Sequence, residues 1–408
     1  MNISSRVNEI SESVTLKLNA KAVELADNGK KIYNLTAGQL PFRPLPEFVE
    51  SIKGELNFLK SFQYSPVAGF VDLRKKIMNY FEKSRVVSLT ESGVEFDCVL
   101  SNGGKHSLSN VFASIIDPGD EVIMLSPHWV SYPQMVRFYG GVPIVVTSNI
   151  YNVFRPSIEE ISKALSSRTK AIVINSPNNP SGVHYTKEWM EEFAELMLAH
   201  PDVSIVCDEI YFELYYFDPK PTYFYQYKPE LLKQTIIVDG ISKTLAATGL
   251  RLGWTIAPKA LVRAMTKIQG QTASGANSLV QRGLIEFDFD KVEEYLQPIK
   301  DHLRKNSQIV REKFREANLA HGWYQSVSAF YYMVDFSQTP MFEKKYKVES
   351  GPQGDFSTEI CEIALSEYGI AIVPGTDFGN PNSARISLVL DAEAFSEAIT
   401  LLCKFLTA

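Results

Sequence analysis

A chain of 408 residues, 45% hydrophobic and 22% charged, has the make-up of a globular enzyme long enough for two or three domains and a large core. Its net charge of −6 argues against a nucleic-acid surface, which calls for a strongly basic face. Cys98, Cys207, Cys361 and Cys403 are scattered without CxxC or Cys/His spacing, so buried thiols in a reducing compartment are expected, with no disulfide framework and no metal site.

In chain order, the opening "MNISSRVNEISESV" carries charges and lacks an apolar segment, and no run approaches 18 apolar residues. The expectation is a cytoplasmic protein with neither signal peptide nor membrane span. "GFVDLRKKIMNYFEKSR" has helical spacing, and "SLSNVFASIID" is a second helix stopped by the turn "DPGD". "EVIMLS", "VPIVV", "KAIVINS", "VSIVCDE" and "QTIIVDG" are short β-rich runs, as expected of strands covered on both faces. Between the third and fourth lies "TKEWMEEFAELMLAH", a helix capped by Thr186. This alternation predicts an α/β domain with a largely parallel sheet. Residues 290–318 read as one long amphipathic helix leading to a smaller α+β domain, and polar residues 338–356 as a mobile surface loop.

Ligands of open α/β sheets sit beyond the carboxyl ends of the strands. After "DCVL" comes "SNGGKHSLSN": Gly103 and Gly104 before a helix start can cradle a phosphate, although a glycine pair also marks a plain turn. His106 stands where a Walker A loop needs Ser or Thr, and no GxGxxG occurs. After "EVIMLS", Trp129 in "PHWVSYP" is either a core residue or a plate for a planar ligand. After "AIVI", the segment "NSPNNPSG" offers the amides of Asn175 and Asn179. Asp208 in "CDEIY" is either a helix cap or a partner for a cationic ring nitrogen. After "QTIIVDG" comes "SKTLAATGLRLGW", where Lys243 and Arg251 stand within one short stretch beside Ser242.

An anion cradle, an aromatic plate, an amide, a carboxylate and a lysine on consecutive strand ends match one ligand, pyridoxal 5′-phosphate. On these motifs, together with "YSPVAGFVDLR", "VPGTDFG" and "ARISL", the chain resembles the class I aminotransferases of fold type I. The wording "NGGK" and "WVSYP" is most similar to the bacterial aspartate aminotransferase branch. The resemblance implies a large cofactor domain over residues 46–289, with a mostly parallel mixed sheet between helices. It also implies a small α+β domain built from residues 1–45 and 290–408.

For single residues, the resemblance implies that Lys243 forms the internal Schiff base and moves a proton, in a ping-pong transfer of an amino group. Asp208 pairs with the pyridine nitrogen, Tyr211 and Asn179 hold the ring oxygen, and Trp129 stacks on the ring. Ser242, Arg251, Gly103, Gly104 and Lys105 surround the phosphate, with Tyr64 reaching over from the partner subunit of a homodimer with shared active sites. Arg385 takes the substrate α-carboxylate, helped by Asn179, Trp129 and the backbone of Gly38. Lys105, with Thr15 beside it, is the cation expected to read an acidic side chain. That points to aspartate and glutamate as donors and 2-oxoglutarate and oxaloacetate as acceptors. The alternatives are an aromatic, alanine or prephenate specificity, or a lyase of the same fold. Two positions depart from the family pattern: Ser328 in "VSAFYY" stands for a glycine, and Gly240 in "GISK" stands where many members carry a serine.

Overall fold

The computed structural model describes residue 4, residues 14–346 and residues 356–408. After a helix over Val14–Asp27 comes a short strand β1 (Tyr33–Asn34), then helices Pro46–Glu55 and Val71–Arg85. The strands β2 (Phe96–Ser101), β3 (Glu121–Leu125), β4 (Val142–Val146), β5 (Thr169–Asn175), β6 (Ser204–Asp208), β7 (Thr235–Gly240) and β8 (Gly253–Pro258) form one sheet. Its order is β2-β8-β7-β6-β5-β3-β4, and β8 runs against both neighbours while β7, β6, β5, β3 and β4 pair in parallel. The sheet is therefore mixed and mostly parallel, as the α/β reading predicts.

The central strands are apolar because both faces carry helices: all five residues of β3 are buried, as are the last four of β6. "VPIVV" departs from that expectation. β4 is the sheet edge, and its Val142 and Val145 are more than two-fifths exposed. Thr186 does cap the helix Lys187–Leu198, its side-chain oxygen accepting from the Trp189 amide. The helix Val71–Arg85 packs on its Leu73, Ile77 and Phe81, and the next position of that stripe is the buried Arg85.

The long helix spans Val292–Glu316 and packs against the helix Ala392–Leu406. Beyond it, β9 (Tyr331–Asp335), β11 (Val373–Pro374) and β12 (Ser383–Ser387) make an antiparallel sheet, and β10 (Ile370–Ala371) pairs with β1. β1 thus ties the N-terminal segment to the C-terminal one. The surface loop expected over 338–356 is partly a helix, Pro340–Tyr346, because Met341 and Phe342 are buried and Thr339 caps them. The rest of that stretch, 347–355, lies outside the described residues. All four cysteines are free and buried. Among the described residues no helix is long and apolar enough to cross a membrane, and no cluster of metal ligands occurs.

Candidate active site

The carboxyl ends of β2, β3, β5, β6 and β7 open onto a single cavity of about 920 Å³, closed on its far side by the segment after β1 and by β12. Each strand end delivers its residue for a local reason. β2 turns at Gly103, whose φ of +87° and close approach to the Arg251 guanidinium (a Cβ would lie 2.6 Å from Nη2) admit only glycine. Gly104 then opens the helix Gly104–Ile115, so its free amides face the cavity beside Arg251 and Ser242. Gly253 of β8 lies equally close, since a Cβ there would sit 2.5 Å from the Gly104 amide nitrogen. Arg251 is anchored by the carbonyls of Thr248 at 2.9 Å and Asn102 at 3.4 Å. This corner is an anion cradle.

Asp208 ends β6 and is 6% exposed. It is held by the Tyr132 hydroxyl, which donates to Oδ2 at 2.6 Å, and by the Ile210 amide at 3.3 Å. Burial pushes its carboxyl up to about 6, with Tyr132 and the Ile210 amide pulling the other way. Asn175 fixes the neighbouring backbone: its Nδ2 donates to the Asp208 carbonyl, and its Oδ1 accepts from the Asn179 amide, each at 2.9 Å.

Lys243 is 8% exposed and donates to the Gly38 carbonyl. Burial first, then the charges of Arg385 and Arg251, push its amine down to about 7, so a large share is neutral at neutral pH. The amide Nδ2 of Asn179 donates to the Tyr211 hydroxyl at 3.4 Å, and that hydroxyl lies 3.3 Å from the Tyr331 hydroxyl. Asn179 Oδ1 accepts from Arg385 Nη1 at 3.2 Å, which joins the ring-holding residues to the arginine of β12 in one hydrogen-bonded string. Arg385 is 5% exposed, with Nη2 on the Thr36 carbonyl at 2.9 Å. Its Nε has no hydrogen-bond partner, and among the described residues no carboxylate pairs with it. A buried guanidinium that lines a cavity with no carboxylate paired to it is a site for an anion.

Trp129 and Lys105 line the same cavity, with the Lys105 ammonium 4.8 Å from the Trp129 ring centroid. Lys105 is exposed along its length, while its ammonium is drawn down in pKa by burial and by Arg251. Two expected residues stand apart. Tyr64 is 94% exposed and does not line the cavity. The side chain of Thr15, in the first turn of the helix Val14–Asp27, lies outside the described residues. Gly38 contributes its carbonyl to Lys243, whereas the atom of that segment on Arg385 is the Thr36 carbonyl.

Thr36 and Tyr331 are contacts that motif reading did not assign to the site, while Asn175, read as an amide donor, turns out to fix backbone. Tyr132 follows Trp129 by one hydrogen-bonded turn, its amide donating to the Trp129 carbonyl at 3.1 Å as the helix Ser131–Phe138 begins. As for the departures, Gly240 sits where β7 meets β8, and a Cβ there would lie 2.8 Å from the Gly253 Cα. The Ser328 side chain is accommodated by its hydroxyl, which donates to the Gly182 carbonyl at 3.3 Å and lies 3.3 Å from His184 Nδ1.

The arrangement can hold a flat phosphorylated pyridine: cations and helix amides at one end, a carboxylate at the other, an amine and an indole between. The Arg385 guanidinium, lining the cavity without a carboxylate of its own, and the cradle at Gly103 are the observations that fit pyridoxal phosphate and an amino-acid carboxylate. The comparisons agree with that fit. A family model described as "Aminotransferase class I and II" matches residues 30–402. An aspartate/prephenate aminotransferase of Thermus thermophilus is 33% identical over 403 residues, covering 97% of each chain. An aspartate aminotransferase of Bacillus subtilis is 31% identical over 405 residues, covering 99% of each. Among solved structures, the Thermus thermophilus aspartate aminotransferase with maleate superposes with a TM-score of 0.87 at 32% identity, over 99% of this chain and 100% of that one.

Proposed function

For a chain that belongs to the class I and II aminotransferases, and is thus a pyridoxal-phosphate-dependent transaminase of fold type I, we propose that the amino group comes from an acidic amino acid, aspartate or glutamate. 2-Oxoglutarate and oxaloacetate are the acceptors in this reading. Bound pyridoxal phosphate supplies the electron sink that receives the charge released when the amino acid loses its Cα proton. This chain's residues do the rest. Lys243, neutral in part because its amine titrates near 7, would take the Cα proton and deliver it to C4′ of the cofactor within the same half-reaction, the reverse transfer serving the other half. Asp208, kept in place by Tyr132, holds the proton of the ring nitrogen. Asn179 and Tyr211 take the ring oxygen, and Ser242, Arg251 and the amides after Gly103 take the phosphate. Arg385, which lines the cavity, forks onto the α-carboxylate.

The observation that carries the acidic specificity is Lys105: a cation at the cavity mouth, beside Trp129 and apart from Arg385. A lysine in the first turn of a helix opposes the helix dipole by about 0.3–1 kcal/mol, so an anionic ligand accounts for it better than solvent does. Prephenate is a second acceptor, favoured by the name of the Thermus thermophilus relative. We also place Tyr64 in the partner subunit's site of a homodimer, which accounts for a tyrosine that is almost wholly exposed in one chain. The residue ranges 46–289 for the large domain, and 1–45 with 290–408 for the small one, belong to the same reading. The test is a donor panel on Lys105→Ala. Loss of one charge-assisted contact should lower kcat/KM for aspartate by about 10- to 150-fold and leave alanine and phenylalanine nearly unchanged. Equal losses for acidic and neutral donors would remove Lys105 from side-chain recognition.

A further inference from the structure

Behind the site, on the opposite side of the same strand ends, Arg85 is 1% exposed and meets three carboxylates. Its Nε donates to Glu209 at 3.0 Å, Nη1 to Glu213 at 2.9 Å, and Nη2 to Asp239 at 3.1 Å. The guanidinium lies 3.7 Å from the Phe212 ring centroid, and Gln226 donates to the Arg85 carbonyl. The acids are held from their other sides too. Tyr225 donates to Glu209 at 2.7 Å, Tyr80 to Glu213 at 2.9 Å, and the Gly240 amide to Asp239 at 2.6 Å.

Glu209 directly follows Asp208, and Asp239 lies four residues before Lys243. Asp208 closes β6 and Lys243 sits in the short helix Ile241–Thr244 that follows β7, so the cluster grips both chain segments within a few residues of the side chains that line the cavity. We propose that Arg85 is a positioning residue: by holding Glu209 and Asp239 on one rigid fork, it locks the ends of β6 and β7 together and so fixes Asp208 relative to Lys243. The inference rests on the roles given to those two residues above.

As a device for stability alone the cluster is poorly suited. Three buried acids face one buried base, and taking such groups out of water is costly enough that apolar residues often serve as well. The strain shows in Asp239, whose carboxyl is pushed up to about 8 by burial, with Glu209 and Glu213 adding to the rise and Arg85 opposing it. What a planar fork gives that apolar packing does not is direction.

The test uses the cofactor-loaded enzyme and its Arg85→Met, Arg85→Lys and Asp239→Asn variants. Asp239→Asn is nearly isosteric, keeps an acceptor for Gly240, and breaks only the arm to the lysine segment. Expected for it are a kcat lowered by about tenfold or more, a KM for aspartate within about threefold, and a moved pH midpoint of the bound cofactor's absorbance. Arg85→Lys should recover part of the kcat lost in Arg85→Met. If Arg85→Met does not fold, Asp239→Asn and Arg85→Lys decide the matter. A lower melting temperature with unchanged kcat and an unmoved midpoint in Asp239→Asn would overturn the inference. Borohydride fixation of the cofactor on wild type separates the two readings: label on a lysine other than Lys243 defeats the site assignment itself, whatever the variants do.

Discussion

Two arginines, Arg85 and Arg385, are buried to nearly the same degree and yet have opposite surroundings. Arg85 has a carboxylate on each of its three nitrogens, and those acids hold its pKa above the ordinary value despite burial. Arg385 has a carbonyl, an amide oxygen and no carboxylate among the described residues, and burial lowers its pKa. Arg85 finds its counter-charges within the chain. Arg385 finds none among the described residues, which leaves room for the anion proposed above. Burial alone does not tell a structural cation from a binding one; the list of acceptors does.

The comparison can be broken at Arg385. Truncating a buried charge contact to ligand costs about 2–5 kcal/mol, so Arg385→Gln should lower kcat/KM for every amino donor by roughly 30- to 5,000-fold. Because no acid is left behind, its melting temperature should hold or rise. Arg85→Met, in contrast, strips three acids of their base and should lower stability by about 3–5 kcal/mol. Thermal melts of the two variants side by side check this, and a large loss of stability in Arg385→Gln would erase the distinction.

A smaller effect sharpens the site side of the comparison. Tyr132→Phe removes the hydroxyl donor from Asp208, and a hydrogen bond to a charged group contributes about 1.5–3 kcal/mol. The Asp208 carboxyl should rise above about 6, and cofactor should dissociate roughly 10-fold more readily, read by its release on dilution.

A change of another kind, in pH dependence, is expected at Lys243. Its amine is lowered to about 7 in the folded chain, so between about 7 and the ordinary lysine value the unfolded chain binds more protons. Stability of the cofactor-free protein should therefore rise with pH across that window from this group, and lose that contribution as pH falls to 7. Removing the Arg385 charge should move the amine back upward, as seen by the pH dependence of reductive methylation at Lys243.

The strand-end motifs were legible because each apolar run of the parallel sheet is followed at once by the residue it presents. β6 gives Asp208 and β7 gives Lys243 within a few positions of the last buried side chain. What escaped is what depends on residues distant in sequence. β8 is a plain apolar run whose antiparallel sense comes from pairing with both β2 and β7. Thr36 meets Arg385 across 349 positions, and nothing local to either announces it. Arg85 did leave a trace, as a cation at the place where the Leu73, Ile77, Phe81 stripe calls for an apolar residue. The helix Pro340–Tyr346 was hidden by its polar composition, in which Met341 and Phe342 are the side chains seen to reach the core among its described ones.

The contact between Gly240 and Gly253 has an evolutionary side. A side chain at 240 would strike the Gly253 Cα at 2.8 Å, and one at 253 would strike the amide of Gly104 at 2.5 Å. The lysine strand, its antiparallel neighbour and the anion cradle are thus stacked backbone on backbone. Neither Gly240 nor Gly253 can take a side chain by itself, whereas a Cβ at 104 would meet only Ile210 and Val238, at ordinary contact distance. A descendant that placed a serine at 240, to add a hydroxyl beside the phosphate, would first need β8 to shift outward. Such a lineage would change in correlated steps, with neither substitution tolerated before the other.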